Sequence, residues 1–328
     1  HLLPEQMIRE TEAPNQTVVD YFFLEGLMYT AEHPSLFFLL FLLIYSITVT
    51  GNLLILITVG SDPHLCSPMY HFLGHLSLLD ACLSTVTVPK VMAGLLTRDG
   101  KAISLEGCAV QLYCFHFLAS TECFLYTAMA YDRYLAICRP LHYPLAMNRR
   151  MCAGLAGMTW TVGAVHSALH TCLTFRLLYC GPRRIAYFFC DIPPVLKLAC
   201  ADTTINELVM LASIGIVAAG CLILIVISYV FIAAAVLRIR TAAGRKRAFS
   251  TCTSHLTVVL LYYLPPVCIY LQPRSSGAGV GAPAVFYTIV TPMLNPFIYT
   301  LRNTEVKQAL RRLLGQGARD SPADSPLR

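Results

Sequence analysis

Long stretches without charged residues dominate this chain of 328 residues. Five stretches contain no Asp, Glu, Lys or Arg: residues 34–61, 151–175, 208–237, 248–273 and 275–301. Two more are nearly free of charge, since residues 69–96 contain only Asp80 and Lys90 and residues 107–131 contain only Glu122. A helix needs about 20 apolar residues to cross about 30 Å of hydrocarbon. The sequence therefore predicts seven transmembrane helices.

The composition supports the same fold class. Hydrophobic residues make up 56% of the chain and charged residues only 13%, whereas soluble proteins carry about 25% charged residues. A transmembrane barrel would need short segments of alternating polarity, which the sequence does not show. Backbone groups in lipid must be satisfied within each segment, so we expect an all-α membrane protein built as a bundle of seven helices.

The loop charges predict which side of the membrane each end faces. Basic residues follow the third, fifth and seventh spans: Arg139, Arg149, Arg150, Arg238, Arg240, Arg245, Lys246, Arg247, Arg302, Lys307, Arg311 and Arg312. Such loops face the cytoplasm. The first 33 residues are acidic and contain the glycosylation sequon Asn15-Gln16-Thr17, which is used only on the lumenal side. We therefore expect an extracellular N-terminus.

Four regions follow from this topology. Residues 1–33 form an extracellular segment, and residues 34–301 form the transmembrane domain. Residues 302–314 are predicted to form a short amphipathic helix on the cytoplasmic membrane surface. Residues 315–328 are rich in Gly, Pro, Ser and charge and are predicted to be disordered. The net charge of +6 indicates contact with membrane lipid headgroups, and no nucleic acid partner is expected.

Four of the 14 cysteines lie on the predicted outer side, where disulfides can form. Cys108 is at the outer end of the third span, and Cys180, Cys190 and Cys200 lie in the loop after the fourth span. Four cysteines allow three pairings, and the spacing does not choose among them. A disulfide from the third span to this loop would fold the loop over the helix bundle.

Charged residues inside a span are costly and mark functional sites. Asp80 and Glu122 lie in the middle of neighbouring spans. They either hold a sodium ion between their oxygens or are both protonated and hydrogen-bonded within the bundle. Asp132-Arg133-Tyr134 lies at the inner end of the third span, where its position alone also fits an interfacial anchor.

A candidate ligand pocket lies on the third span. Phe115, His116, Ala119 and Ser120 recur at helical spacing one to three turns below Cys108. On the fourth span, His166 and His170 share a helix face. A metal site there would need more ligands, such as Cys172, His116 or Cys114, so packing or hydrogen bonding is the favoured role and no metal beyond sodium is expected.

Several motifs resemble those of olfactory receptors, a branch of the rhodopsin-like G-protein-coupled receptors. The resemblance runs from about residue 15 to residue 312. Its motifs, in chain order, are Pro68-Met69-Tyr70, Leu76-Ser77-Leu78-Leu79-Asp80, Met129-Ala130-Tyr131-Asp132-Arg133-Tyr134-Leu135-Ala136-Ile137-Cys138, Pro140-Leu141-His142-Tyr143-Pro144, Ser228-Tyr229, Ala248-Phe249-Ser250-Thr251-Cys252-Thr253-Ser254-His255-Leu256 and Pro292-Met293-Leu294-Asn295-Pro296-Phe297-Ile298-Tyr299.

This resemblance implies two disulfides, Cys108 with Cys190 and Cys180 with Cys200, and a polar or sodium network of Asp80, Glu122 and Asn295. It also implies an activation switch in which Asp132 holds Arg133 at rest. On activation Arg133 turns toward Tyr229 and Tyr299, and the inner end of the sixth span moves outward. The residues that it assigns to this switch and to G-protein coupling are Asp132, Arg133, Tyr134, Tyr229, His255, Asn295, Pro296 and Tyr299.

The resemblance further implies a plasma-membrane receptor whose stimulatory, olfactory-type G protein raises cyclic AMP. It extends the pocket to Ser213, Ile214, Val217, Tyr263, Val267, Tyr270 and Thr288. This apolar pocket with a few hydroxyls and no carboxylate indicates a small, neutral, lipophilic odorant, because Phe115 occupies the position where amine receptors have Asp.

Other classes fit less well. The alternative is a rhodopsin-like receptor for a non-olfactory lipid or metabolite. Residues 275–301 contain no lysine for retinal, and the sequence lacks the common enzyme motifs, so no enzyme is expected.

Overall fold

A computed structural model describes residues 19–26, 33–180, 183–271, 284–313 and 315. The predicted sequon at Asn15 and residues 316–328 of the predicted tail lie outside these residues. The described chain is mostly helical, as the charge-free stretches predict.

Ten α-helices make up the described chain. The first five are α1 (Pro34–Ser61), α2 (Pro68–Leu96), α3 (Leu105–Cys138), α4 (Tyr143–Ala146) and α5 (Arg149–Phe175). They are followed by α6 (Ile192–Leu196), α7 (Thr204–Leu237), α8 (Ala242–Leu271), α9 (Thr291–Arg302) and α10 (Thr304–Leu313). A π-helical segment, Phe286–Val290, leads directly into α9.

Local sequence explains several of these helix starts. Proline occupies the first turn of α1 and α2, where its missing N–H costs nothing. The side chains of Ser104 and Asn148 accept hydrogen bonds from the first turns of α3 and α5. Both side chains therefore stabilise the exposed backbone donors at these helix ends.

Among the described residues, four helices are long and apolar enough to cross a membrane: α1, α2, α3 and α7. Their burial shows two different positions in the bundle. The most apolar stretches of α2 and α3 are 56% buried, whereas those of α1 and α7 are 22% and 17% buried. Hence α2 and α3 form the centre, and α1 and α7 present most of their apolar surface outward, as helices in contact with lipid do.

A small sheet lies on the predicted outer side, which the sequence analysis did not anticipate. Strand β1 (Tyr21–Leu24) is central, antiparallel to β2 (Ala102–Ser104) and parallel to β3 (Arg184–Ile185). Phe22 and Leu24 alternate along β1 and are fully buried. The sheet therefore attaches the segment before α1 to the loops after α2 and α5.

Helices α3 and α5 pack closely at one glycine. A Cβ on Gly163 would lie 2.2 Å from Thr121 Oγ1 and 3.1 Å from the Phe117 carbonyl oxygen. The absent side chain lets the α5 backbone approach α3 at this point, a use of small residues that is common between membrane helices.

Candidate functional site

Two disulfides fix the loop between α5 and α7 over the outer end of the bundle. The structure joins Cys108 of α3 to Cys190 and joins Cys180 to Cys200. The Gln111 side chain on α3 also accepts a hydrogen bond of 2.9 Å from the Cys190 N–H. These bonds place Phe189 against Phe115, with 4.6 Å between the ring centroids. An aromatic side chain from this loop therefore packs on the predicted pocket residue Phe115.

Three hydrogen bonds connect the polar residues of this region. His116 Nε2 lies 3.0 Å from Asp191 Oδ1 in the loop. Ser120 Oγ lies 2.9 Å from His166 Nδ1. His170 Nε2 lies 2.7 Å from Ser213 Oγ on α7, so the loop, α3, α5 and α7 are linked across the pocket region.

Asp191 brings a carboxylate to the predicted pocket residue His116, a neighbour that the sequence did not predict. Its position next to Cys190 brings the carboxylate to His116 once the disulfide is formed. Asp191 Oδ1 also accepts a bond of 2.8 Å from the Ile192 N–H. The carboxylate is therefore already engaged by two partners on the protein.

The other predicted pocket residues lie on facing helices. Phe115, Ser120, Tyr263 and Thr288 are buried, and His116, Ala119, Ser213, Ile214 and Val217 are half-buried. Tyr262, which was not among the predicted pocket residues, donates a bond of 2.9 Å to the Ala119 carbonyl oxygen and thereby connects α8 to α3. The backbone of Val267 and Tyr270 belongs to α8, but their side chains lie outside the description.

A polar centre lies below this region. Asn295 Nδ2 donates a bond of 2.9 Å to Asp80 Oδ2, and the Tyr126 hydroxyl donates to Glu122 Oε1. Both carboxyls are buried. Within the described residues, four buried oxygens of this part of the bundle have no hydrogen-bond partner: Asn52 Oδ1, Asp80 Oδ1, Ser84 Oγ and Asn295 Oδ1.

Pro296 explains the role of Asn52, a residue that the sequence analysis did not identify. A helical residue normally donates its N–H to the carbonyl four positions earlier, and proline has no N–H. The Pro292 carbonyl therefore lacks that donor, and Asn52 Nδ2 on α1 donates to it at 3.0 Å. This bond joins α1 to the irregular segment of α9.

The inner end of α3 contains a buried ion pair. Arg133 donates to Asp132 Oδ2 through Nε at 2.9 Å and also through Nη2. The Tyr143 hydroxyl of α4 donates to the other oxygen, Oδ1, at 2.8 Å. Burial and the neighbouring Asp132 charge raise the pKa of Tyr143, which keeps this hydroxyl protonated as a donor.

Arg133 faces a cavity of about 810 Å³ that opens at the inner end. His255, Tyr299 and Lys246 also line it. Tyr229 contacts His255 through a hydroxyl to Nδ1 distance of 2.7 Å. Tyr134 does not belong to this group, because its ring packs against Phe231 on the outward face of α7, with 5.9 Å between the centroids.

Helix α10 is attached beside this cavity. Tyr70 on α2 donates a bond of 2.6 Å to Glu305 Oε2. Arg312 donates to Asp62 Oδ2 at 2.6 Å through Nη2. The bonds from Arg312 and the His64 N–H lower the pKa of Asp62 to about 2.

Comparison with known proteins identifies the family. The family model described as "Olfactory receptor" matches residues 41–317. The chain belongs to the olfactory receptor family. It is 83% identical to human olfactory receptor 10S1 over 322 residues, which cover 98% of this chain and 97% of that protein. It is 57% identical to human olfactory receptor 10G2 over 297 residues, covering 90% and 96%.

The family assignment confirms the resemblance seen in the sequence motifs. The chain is a rhodopsin-like G-protein-coupled receptor, it is not an enzyme, and it is a multi-pass membrane protein. An odorant ligand and coupling to a G protein follow from membership of the family.

Proposed function

We propose that the protein is a plasma-membrane receptor with seven transmembrane helices and an extracellular N-terminus. In this proposal α5, α8 and the segment ending in α9 supply the three spans besides α1, α2, α3 and α7. A small, neutral, lipophilic odorant binds under the disulfide-linked loop. The receptor then activates a G protein of the stimulatory, olfactory type and raises cyclic AMP.

The rings of Phe115 and Phe189 support an apolar ligand, because they meet where the loop covers the bundle. Hydroxyl and imidazole groups are supplied by the three hydrogen-bonded pairs described above, His116 with Asp191, Ser120 with His166 and His170 with Ser213. A neutral molecule fits this environment, since Asp191 already accepts from Ile192 and contacts His116. An amine would have to compete for that carboxylate.

The single observation that carries the coupling proposal is the position of Arg133. It is held by Asp132 at the wall of the 810 Å³ inner cavity, beside His255 and Tyr299. We infer that this is the resting arrangement, and that an agonist favours a state in which Arg133 leaves Asp132 and a G protein occupies the cavity. To change the ratio of active to resting receptor from 1:99 to 99:1, an agonist must bind the active state about 5.5 kcal/mol more tightly than the resting state.

We also propose that the polar centre holds a sodium ion. The four unpartnered oxygens of Asn52, Asp80, Ser84 and Asn295 support this proposal, because buried oxygens need a cation, a water or a proton as partner. Asp80 and Glu122 would supply the negative charge. Two protonated carboxyls are the alternative, and agonist affinity that is insensitive to sodium concentration would favour it.

A cyclic AMP reporter assay in cells tests the receptor proposal. Wild type and Arg133→Ala are screened against a panel of neutral volatiles, with lipids and water-soluble metabolites as the second panel. We expect a volatile to activate wild type and the response to be lost in Arg133→Ala at equal surface expression. Undiminished signalling by Arg133→Ala would contradict the role of Arg133, and activation by the second panel alone would support the non-olfactory receptor.

A further inference from the structure

A second cleft lies where the inner ends of α1, α2 and α5 meet. Its volume is about 740 Å³. It opens at the predicted cytoplasmic edge of the membrane, because α1 ends at Ser61, α2 begins at Pro68 and α5 begins at Arg149. Neither odorant binding nor G-protein coupling, as proposed above, uses this cleft.

The inner end of the cleft presents hydrogen-bond donors. His71 and His75 are one turn apart on α2, with 4.8 Å between their ring centroids. Trp160 Nε1, which can only donate, lies 3.2 Å from His75 Nδ1. His75 Nδ1 must therefore accept, and in the neutral ring Nε2 carries the hydrogen and is a donor. Arg149 and His71 are both exposed.

The charge of the cleft is positive. Asp62 also lines it, but its carboxylate is bound by Arg312 and by the His64 N–H. The guanidinium of Arg149 has no such carboxylate partner among the ion pairs of the described residues. A ligand at this end of the cleft therefore meets one cation and imidazole donors, which is a favourable environment for a phosphate group.

Apolar side chains line the cleft beside the histidines and one turn deeper along α2. Leu56 and Val59 of α1 and Leu78 of α2 line it. The α1 and α2 helices approach closely at Gly74, where a Cβ would lie 3.7 Å from Leu56 and 3.8 Å from Val59. The cleft thus combines Arg149 at its opening, at the headgroup level, with apolar side chains beside the two histidines and, at Leu78, one turn deeper toward the acyl chains.

We propose that this cleft binds one anionic phospholipid of the inner leaflet. Its headgroup has a net negative charge, which phosphatidylcholine lacks because choline cancels the phosphate charge. This headgroup lies at Arg149, with His71 and His75 as further donors, and an acyl chain follows Leu56, Val59 and Leu78. Charge complementarity selects this occupant over a neutral lipid, since basic pockets between transmembrane helices on the cytoplasmic side bind anionic headgroups. The proposal requires the cytoplasmic orientation of these helix ends but no particular odorant or G protein.

The single tryptophan of the chain, Trp160, allows a direct test because it contacts His75 at the cleft. The full chain is reconstituted in phosphatidylcholine nanodiscs that contain either brominated phosphatidylserine or brominated phosphatidylcholine at the same mole fraction. Bromine quenches tryptophan fluorescence on contact. We expect brominated phosphatidylserine to quench Trp160 more than brominated phosphatidylcholine in the wild type.

Two neighbouring arginines supply the variant and its matched control. Arg149→Gln is expected to reduce the preference for phosphatidylserine at least about tenfold. It removes a direct contact with the anionic headgroup, and a hydrogen bond to a charged group contributes about 1.5–3 kcal/mol. Arg150→Gln makes the same charge change one residue away, at an exposed side chain that does not line the cleft, and is expected to keep the preference. Equal quenching by the two lipids in the wild type, or equal losses in both variants, would overturn the proposal.

Discussion

The hydrogen bond from Tyr143 to Asp132 gives a quantitative prediction for basal activity. Tyr143→Phe removes one hydroxyl and leaves the ring in place. Asp132 is fully buried, and its Oδ1 accepts from Tyr143 at 2.8 Å. The variant therefore leaves one oxygen of a buried carboxylate without this donor and weakens the site that holds Arg133.

The magnitude follows from the type of bond. A hydrogen bond to a charged group contributes about 1.5–3 kcal/mol. If the bond is made only in the resting state, its loss raises the ratio of active to resting receptor about 10- to 150-fold, because only the difference between the states counts. Burial and the Asp132 charge raise the pKa of Tyr143, so the hydroxyl is a donor at neutral pH and the effect is expected there.

Basal activity can be measured without knowing the agonist. Cyclic AMP is recorded in cells that express wild type, Tyr143→Phe and the control Tyr131→Phe, each normalised to the receptor at the surface. Tyr131 is exposed on the outward face of α3, so its variant should match wild type. Basal cyclic AMP in Tyr143→Phe that equals or falls below wild type would refute the reasoning.

Three further predictions concern the fold. Acid should weaken the attachment of α10 between about pH 4 and pH 2, because the pKa of Asp62 is lowered from 3.8 to about 2 and its bond with Arg312 is complete only above this range. Amide hydrogen exchange in Thr304–Leu313, normalised to intrinsic rates, should therefore rise in this range. Normalised exchange that does not depend on pH would contradict this. Cys108→Ser should destabilise the receptor by about 2–5 kcal/mol and lower its amount at the cell surface, whereas the exposed free Cys172 should tolerate serine. Gly163→Ala should lower the free energy of unfolding by about 1–3 kcal/mol and lower the melting temperature in detergent, because the new methyl group meets Thr121. Gly157→Ala is the control, since no atom lies near its added methyl group. Equal melting temperatures of the two variants would disprove the close packing.

The sequence predicted the bounds of helices well where the absence of charge alone decides them. The charge-free stretch 34–61 coincides with α1, and the stretch 151–175 differs from α5 only at its first two residues. Asp132-Arg133-Tyr134 lies near the inner end of α3, as expected, and α3 continues past the charge-poor stretch 107–131 to Cys138. The helix can include these charges because Arg133 and Tyr143 neutralise and bind the Asp132 carboxylate.

The contacts of the site could not be predicted from the sequence pattern, because they join residues that are far apart in the chain. The spacing placed His116 and Ser120 on one face of the third span, but it contained no sign that Asp191 and His166 would meet them. One signal was available for Asp191, since it follows Cys190 directly. The sheet was missed because its strands are two to four residues long, too short for an alternating pattern.

The most direct test of the account measures whether odorant binding is transmitted to Arg133. Spin labels at the inner ends of α3 and α8 report the distance between them in the purified receptor, with and without an agonist from the reporter screen. We expect the agonist to lengthen this distance in the wild type as Arg133 leaves Asp132. An agonist that raises cyclic AMP while the distance stays unchanged would contradict it.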